Sequence, residues 1–502
     1  MGLRTGREFV AGLNDGRRVY ANGELVRDVT KVPAFAGVIR ELADLYDLQH
    51  NPQIGPEITW RPPDSDRAVP CSLMMAQDWP AMEKRVRGER IRADAVNGMM
   101  GRLPDFVNAF ITDFAAAQSL FGRNNPAFGR NIAAYYELCC ERDLCLTHAL
   151  VDPQVDRTRG VEAQEALRIV GENDAGLIVS GARMLSTLAP VADEILIAPF
   201  ANRKPGEEDY AIVFALPVAA EGLKLVCREM YNRGYSDYDR PLTTRYDEGD
   251  ALAVFDNVLV PWERVFAARD IETYNLIRVA VPGFLWLNSI IRATAKLSFM
   301  TGLAALVAEA VGRTQLPRYQ EILGELVANV ELAEGLVIAG AHQMVDNMRT
   351  MNSRDGGIAP EEAAKRIGGS HGTLNRGLVS LTAARMFFPS AHQKAVESIR
   401  YLGSSGLVMT PSERDFENPE LQDTLARHFK GPGISARDRV RVMKLAWDAI
   451  SGDFGGRQLL YEFFYAGDPF NNRLLYFGSR RYRECLERAR RAVDSSLAVG
   501  KS

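Results

Sequence analysis

The chain carries little that would build a covalent or metal-held scaffold. Its 502 residues include six cysteines and six histidines, and no two cysteines form a C-x-x-C pair. A disulfide framework and a structural metal site are therefore not expected, and the thiols suit a reducing cytoplasm. No unbroken run of apolar residues is long enough to span a bilayer, and residues 1–10 lack the apolar core of a signal peptide, so neither membrane insertion nor export is expected. A G-x-G-x-x-G opening a βαβ unit is missing, so a nucleotide would be held by other means and NAD(P)H would not act in this chain. The net charge of -4 gives no reason to expect nucleic-acid binding, and the basic run at 480–491 reads as the solvated face of a terminal helix. There is no internal repeat and no low-complexity tract. What remains is an ordinary globular composition, 46% hydrophobic and 25% charged, in a chain long enough for two or three domains.

Hydrophobic periodicity divides the chain into three parts. Residues 1–142 carry helical patterns at 33–48, 74–98, 104–120 and 126–142. They are preceded by Asn22-Gly23 between two apolar runs, which fits the positive φ angles of a type I′ turn and predicts a small antiparallel flap. Over 143–270 the period falls to two. Short β-branched runs such as Leu177-Ile178-Val179, Ile195-Leu196-Ile197 and Ile212-Val213-Phe214 are separated by Gly, Asn, Asp and Pro, as in an antiparallel barrel or sandwich. Over 271–502 helical patterns return at 292–311, 318–349, 371–400, 418–428, 434–451 and 472–498, with Gly302 and Gly340 permitting close helix contact. The expected class is α+β: an N-terminal helical domain, a middle antiparallel β-barrel domain and a C-terminal helix bundle.

One polar segment stands out. Thr147-His148-Ala149-Leu150-Val151 ends an apolar strand at the Asp152-Pro153 turn, and Gln154 and Arg157 follow. His148 is either a core histidine bonded to backbone or a ligand-facing imidazole whose ordinary pKa, near 6.5, suits proton movement. Gly403-Ser404-Ser405-Gly406 is either a linker turn or a phosphate-approaching turn with two hydroxyl donors. Arg102, just before Leu103-Pro104, has the context of a surface residue at a helix start.

In chain order these pieces resemble a known family. Arg102-Leu103-Pro104-Asp105-Phe106, the His148 segment, Gly181-Ala182-Arg183-Met184-Leu185-Ser186-Thr187, Phe255-Asp256-Asn257 through Trp262-Glu263-Arg264, the 403–406 turn, Gly455-Gly456-Arg457 and Ala466-Gly467-Asp468-Pro469 are similar to segments of the oxygenase component of 4-hydroxyphenylacetate 3-monooxygenase. The match spans nearly the whole chain. The resemblance implies an acyl-CoA dehydrogenase-like fold, a homotetramer, FAD delivered as FADH2 by a separate NAD(P)H:flavin reductase, and O2 as co-substrate. It implies ortho-hydroxylation of a phenol through a flavin C4a-hydroperoxide. It places Thr147, Pro153, Gln154, Thr187, Gly403, Ser404, Ser405, Gly406 and Arg457 on the cofactor, with Gly455 and Gly456 beside Arg457. Arg102, Phe106 and His148 fall on the substrate, His148 as general base and Arg102 as the cation facing the phenolate or peroxide oxygen. Asn257 and Trp262 read as scaffold.

One departure bears on the substrate. The family has tyrosine where this chain has Phe106, which keeps an aromatic wall and loses a hydroxyl. The expected substrate widens from a free 4-hydroxyphenyl compound to a larger, chlorinated or carrier-protein-tethered tyrosyl group. Two other readings are an acyl-CoA dehydrogenase or 4-hydroxybutyryl-CoA dehydratase, and a non-catalytic flavin-binding protein. No glutamate matches the dehydrogenase base, and Cys139, Cys140 and Cys145 lack C-x-x-x-C spacing. Retention of both Arg102 and His148 stands against a scaffold role.

Overall fold

The structure, a computed structural model, describes residues 2–63, 65–156, 158–352, 378–477 and 479–499. Arg157 and the first residues of the expected 371–400 helix lie outside the described residues. The expected class, α+β with helices before and after the sheets, is the one observed.

Local chemistry sets the helix starts. Asp78 and Asn125 cap Trp79–Ala95 and Pro126–Arg142 by accepting from the backbone N–H groups of Ala81 and Ala127, each with proline in the first turn. The expected 104–120 helix breaks at Ala117 into Pro104–Ala116 and Gln118–Phe121. Pro104–Ala116 is buried on nearly every face and carries Asp113 to the start of the central bundle helix, Phe284–Ala310. There the Asp113 carboxylate accepts from the N–H groups of Gly283, Phe284 and Leu285 at 2.7, 2.8 and 3.0 Å, filling three orphan donors at a positive helix end.

Among the described residues the strands form a six-stranded sheet, a four-stranded sheet and a short pair, Thr59–Trp60 with Val69–Pro70. The six-stranded sheet runs in the order Glu24–Val26, Val19–Ala21, Leu223–Cys227, Asp250–Pro261, Gly176–Thr187, Arg168–Asn173. The four-stranded sheet runs Val265–Ala268, Ile212–Pro217, Glu194–Ile197, Leu146–Ala149. Most pairs are antiparallel. Asn22 and Gly23, at φ 51° and 85°, make the expected hairpin turn. The hairpin is not a separate flap, because Val19–Ala21 pairs in parallel with Leu223–Cys227 and so widens the main sheet. Leu146–Ala149 also pairs in parallel, setting His148 opposite Leu196.

Phe284–Ala310 is long and apolar enough to cross a membrane by composition, yet 67% of its most apolar window is buried inside the protein. It is the core helix of the bundle. Gly452–Phe464 is a helix that periodicity did not predict, since Gly452, Gly455 and Gly456 dilute the apolar pattern of its first half. The expected 472–498 helix is two, Pro469–Leu474 and Arg480–Val499.

Close packing also explains Gly37, where helix Pro33–Leu48 crosses Thr243–Tyr246. A Cβ on Gly37 would stand 1.7 Å from the Thr244 carbonyl oxygen, whereas one on Gly302 would meet nothing within 4 Å. Gly37→Ala should therefore lower stability by about 3 kcal/mol. Gly302→Ala, in a helix interior, should leave stability unchanged or raise it by about 0.5–1 kcal/mol. Urea denaturation of the two variants checks this, and equal midpoints would contradict the packing described.

Candidate functional site

Arg102 lies on the turn entering helix Pro104–Ala116 and is half-buried rather than a free surface residue. Its backbone N–H donates to Glu248 Oε1 at 2.7 Å, and its guanidinium donates to the Gly101 carbonyl at 3.1 Å and the Tyr461 hydroxyl at 2.5 Å. The guanidinium carbon lies 4.2 Å from the centre of the Phe106 ring, 4.8 Å from Tyr465 and 5.4 Å from Tyr461, so the cation sits in an aromatic cage. Among the described residues, no carboxylate pairs with this guanidinium.

Beyond the cage lies His148. Its ring centre is 5.4 Å from Phe106 and 6.4 Å from Phe110. The side chain is 4% exposed, and neither ring nitrogen has a hydrogen-bond partner among the described residues. The reading of His148 as a core histidine bonded to backbone therefore does not hold. Burial, and then the Arg102 cation, push its pKa well below the usual histidine value, so the ring is neutral. A neutral imidazole carries one N–H and one lone pair, and here both are unspent.

On the neighbouring strands, Thr147 Oγ1 donates to the Thr187 carbonyl at 2.5 Å and Thr187 Oγ1 donates to Asp250 Oδ1 at 2.6 Å. Both hydroxyls are used as donors and keep acceptor lone pairs. Ser186 Oγ is fully buried and unpartnered. Asp250 also accepts from Arg457 Nε and Nη2, each at 2.7 Å, and from Arg228 Nε at 2.8 Å. Burial alone would raise the Asp250 pKa, but Arg457 and Arg228 overcome it and hold the carboxyl far below the usual range. Arg457 also reaches Glu248 Oε2 at 3.3 Å. Its charge is thus already matched by two carboxylates, and it acts as a strut between the helix Gly452–Phe464 and the main sheet.

Pro153 is half-buried and Gln154 exposed, on the loop after the His148 strand. The 403–406 turn lies elsewhere, at the C-terminal end of helix Val379–Gly403, with Ser404 at φ 49° and both serines exposed. Among the described residues, no hydrogen bond or ring contact joins this turn to Arg102 or His148. The fold thus gathers Arg102, Phe106 and His148 in one place, sets Thr147, Thr187 and Arg457 beside them, and leaves the turn apart. Trp262 and Asn257 are structural: the indole N–H donates to the Asn173 carbonyl, and Asn257 adopts φ 51° at an irregularity in the strand.

Three contributors escaped sequence reasoning: Glu248, Tyr461 and Tyr465. Tyr461 and Tyr465 lie four residues apart, one helical turn, which would have signalled a shared face had the glycines not hidden the helix. Behind Tyr465 is a buried charge group. Glu462 pairs with Arg292 and, at 2.9 Å, with Lys296, whose Nζ also donates to Gln458 at 2.6 Å. Arg292 stands 4.7 Å from the Tyr465 ring. Burial pushes Lys296 down to about 8 and the nearby His392 down to about 3. Cys139 and Cys145 are fully buried thiols whose pKa burial raises, which suits packing rather than ligation.

These features define an α+β protein in which a cation without a carboxylate partner among the described residues lies against buried aromatic rings beside a neutral histidine. The family model described as 4-hydroxyphenylacetate 3-hydroxylase N terminal matches residues 5–267, and its C-terminal counterpart matches residues 283–494. The 4-hydroxyphenylacetate 3-monooxygenase oxygenase component of Thermus thermophilus is 35% identical, covering 99% of this chain and 98% of its own. The oxygenase component of 4-nitrophenol 2-monooxygenase from a Rhodococcus species is 33% identical, with 92% and 86% covered. A solved structure of the oxygenase component (HpaB) of 4-hydroxyphenylacetate 3-monooxygenase, complexed with FAD and 4-hydroxyphenylacetate, matches with a TM-score of 0.86 at 33% identity, covering 99% of each chain. The chain belongs to the 4-hydroxyphenylacetate 3-hydroxylase family.

Neutral burial of His148 and His392 has a pH signature. In the unfolded chain both titrate near pH 6.5, so below that value the unfolded state binds more protons than the native state. Their contribution to stability is whole above about pH 6.5 and is lost as the pH falls toward the depressed native values. His148→Gln should flatten this acid limb by at most about 1.4 kcal/mol per pH unit. Urea midpoints measured from about pH 7 down to about pH 5 check it, and an unchanged slope would contradict a neutral, unpartnered ring.

Proposed function

We propose that this protein is the oxygenase component of a two-component flavin-dependent monooxygenase, which uses FADH2 and O2 to hydroxylate a phenol ortho to its hydroxyl. The observation that carries this reading is the pairing, across the Phe106 ring, of an uncompensated Arg102 cation with a neutral, unpartnered His148. The relatives named for 4-hydroxyphenylacetate and 4-nitrophenol support a phenolic substrate, and the FAD-bound structure of one relative supports the cofactor.

The side chains have three jobs. Phe106, Phe110 and Tyr465 exclude water and wall the ring. His148 accepts or shares the phenolic proton through its free lone pair. Arg102 stabilises the negative charge left on the phenol oxygen, which makes that proton easier to release and enriches the ortho carbon in electron density. The polar atoms left over fit a redox ring that presents carbonyls and N–H groups: Arg102 Nε is unpartnered, and Thr147 and Thr187 retain acceptor lone pairs. Thr147, Thr187, Pro153 and Gln154 would hold that ring, the 403–406 turn its phosphates, and Arg457 would act through Asp250 and Glu248. When bound, reduced flavin with O2 supplies the electrophilic oxygen atom.

Phe106 leaves the pocket without the family hydroxyl, so the substrate is a 4-hydroxyphenyl compound, either free or a (chloro)tyrosyl group on a carrier protein. Hydride donation falls to a separate flavin reductase, in the cytoplasm. A homotetramer is supported by Val327, Leu332 and Ile338, exposed apolar side chains on the single bundle helix Pro317–Asn352.

Product analysis with FADH2, O2 and a panel of free phenols and carrier-bound tyrosyl compounds tests the assignment. His148→Ala should keep flavin binding but lower hydroxylated product per FADH2 oxidised by about 100-fold. An unchanged yield would remove His148 from the chemistry.

A further inference from the structure

We infer that Tyr461 is a positioning residue that fixes the Arg102 guanidinium for the phenol, supplying a polar hold on the pocket that Phe106 lacks; this rests on the function proposed above. Phe106 offers Arg102 only a ring face, at 4.2 Å. Among the described residues, the Tyr461 hydroxyl is the only side-chain acceptor for that guanidinium, at 2.5 Å. A neutral acceptor orients the cation without cancelling its charge, as a carboxylate would.

The position of the hydroxyl is itself enforced. A Cβ on Gly101 would stand 2.2 Å from Tyr461 Oη and 2.4 Å from Cζ, so the phenol tip lies directly against the Gly101 backbone. Glycine at 101 leaves room for this contact, and its carbonyl accepts from the same arginine. On its other sides Tyr461 meets the Tyr465 ring at 5.1 Å and the Arg457 guanidinium at 4.8 Å. Arg457 is tied to Glu248, the carboxylate that accepts the Arg102 backbone N–H. Arg102 is therefore held at both ends, by Glu248 at its backbone and by Tyr461 at its tip.

Three variants test this: Tyr461→Phe, Gly101→Ala and the double variant Phe106→Tyr/Tyr461→Phe. The readouts are 4-hydroxyphenylacetate and 4-nitrophenol binding by calorimetry, product per FADH2 oxidised, and thermal melting. Tyr461→Phe should weaken phenol binding and lower coupled yield by about tenfold, the size of one hydrogen bond to a charged group, while melting stays put. Gly101→Ala, which keeps the hydroxyl but displaces it, should reproduce that loss. The double variant should recover most of it, because a second hydroxyl returns on the Phe106 side; a purely structural tyrosine would not be rescued this way. Wild-type binding and yield in Tyr461→Phe, or no recovery in the double variant, would overturn the inference. If the wild type binds the phenols but forms no product, the proposed function fails while the binding comparison still decides the role of Tyr461. If the wild type binds neither phenol, the same variants are compared on a carrier-bound tyrosyl compound, and failure to bind that as well overturns both.

Discussion

Glu248 and Asp250, two buried carboxylates separated by Gly249, hold the three parts of the chain in register. Asp250 takes Thr187 from its own sheet, Arg228 from the adjoining strand end and Arg457 from the helix Gly452–Phe464. Glu248 takes the other side of Arg457 and the backbone N–H of Arg102. A buried ion pair adds little net stability over a hydrophobic substitute, but breaking one leaves a stranded charge at a cost of about 3–5 kcal/mol. The pair therefore acts as a gauge of relative position: sheet, bundle and entry turn can each sit in only one place if all the charges are to be met.

That constraint decides the electrostatics of the pocket. Arg457 is neutralised by the carboxylates and cannot pull on a ligand, whereas Arg102 is tied by its backbone and a phenol hydroxyl and keeps its full charge. At a contact of about 4 Å in an effective dielectric of about 20, a cation favours a phenolate by about 4 kcal/mol. Burying the phenolate opposes this, as it does at Tyr461, whose pKa burial raises well above the usual tyrosine value although its hydroxyl touches Arg102. On the proposed function, Arg102 offsets part of that cost and His148 takes up the phenolic proton. The burial and positive neighbour that depress its pKa also keep its lone pair free at neutral pH. Were His148 charged, it would lose that lone pair and add a second buried cation.

Much of the fold was legible because periodicity is local. Helices Pro33–Leu48 and Pro126–Arg142 fall where the apolar spacing places them, and the two positive φ angles at Asn22-Gly23 follow from side-chain size. The partner of that hairpin was not legible, since strand pairing across 200 residues leaves no local mark. Motif order brought Arg102, Phe106 and His148 into one group, which no spacing argument could do with 45 residues between the first and the last. The missing pieces had a common cause. Glycines at 452, 455 and 456 disguised a helix, and with it Tyr461, Tyr465 and Glu462. Glu248 and Asp250 carry no mark in the sequence because their partners are arginines from distant segments. The threonine hydroxyls, expected to face a cofactor, spend their protons within the sheet and keep only lone pairs for it.

On the proposed function, the caged Arg102 beside a neutral His148 favours the phenolate form of the bound phenol. The most direct test of this is optical. Anaerobic binding of 4-nitrophenol, whose phenolate absorbs in the visible, is followed below the pKa of the free compound. The bound ligand should show the phenolate band in the wild type and lose it in Arg102→Met. A bound nitrophenol that stays protonated in the wild type, with Arg102 in place, would contradict the account.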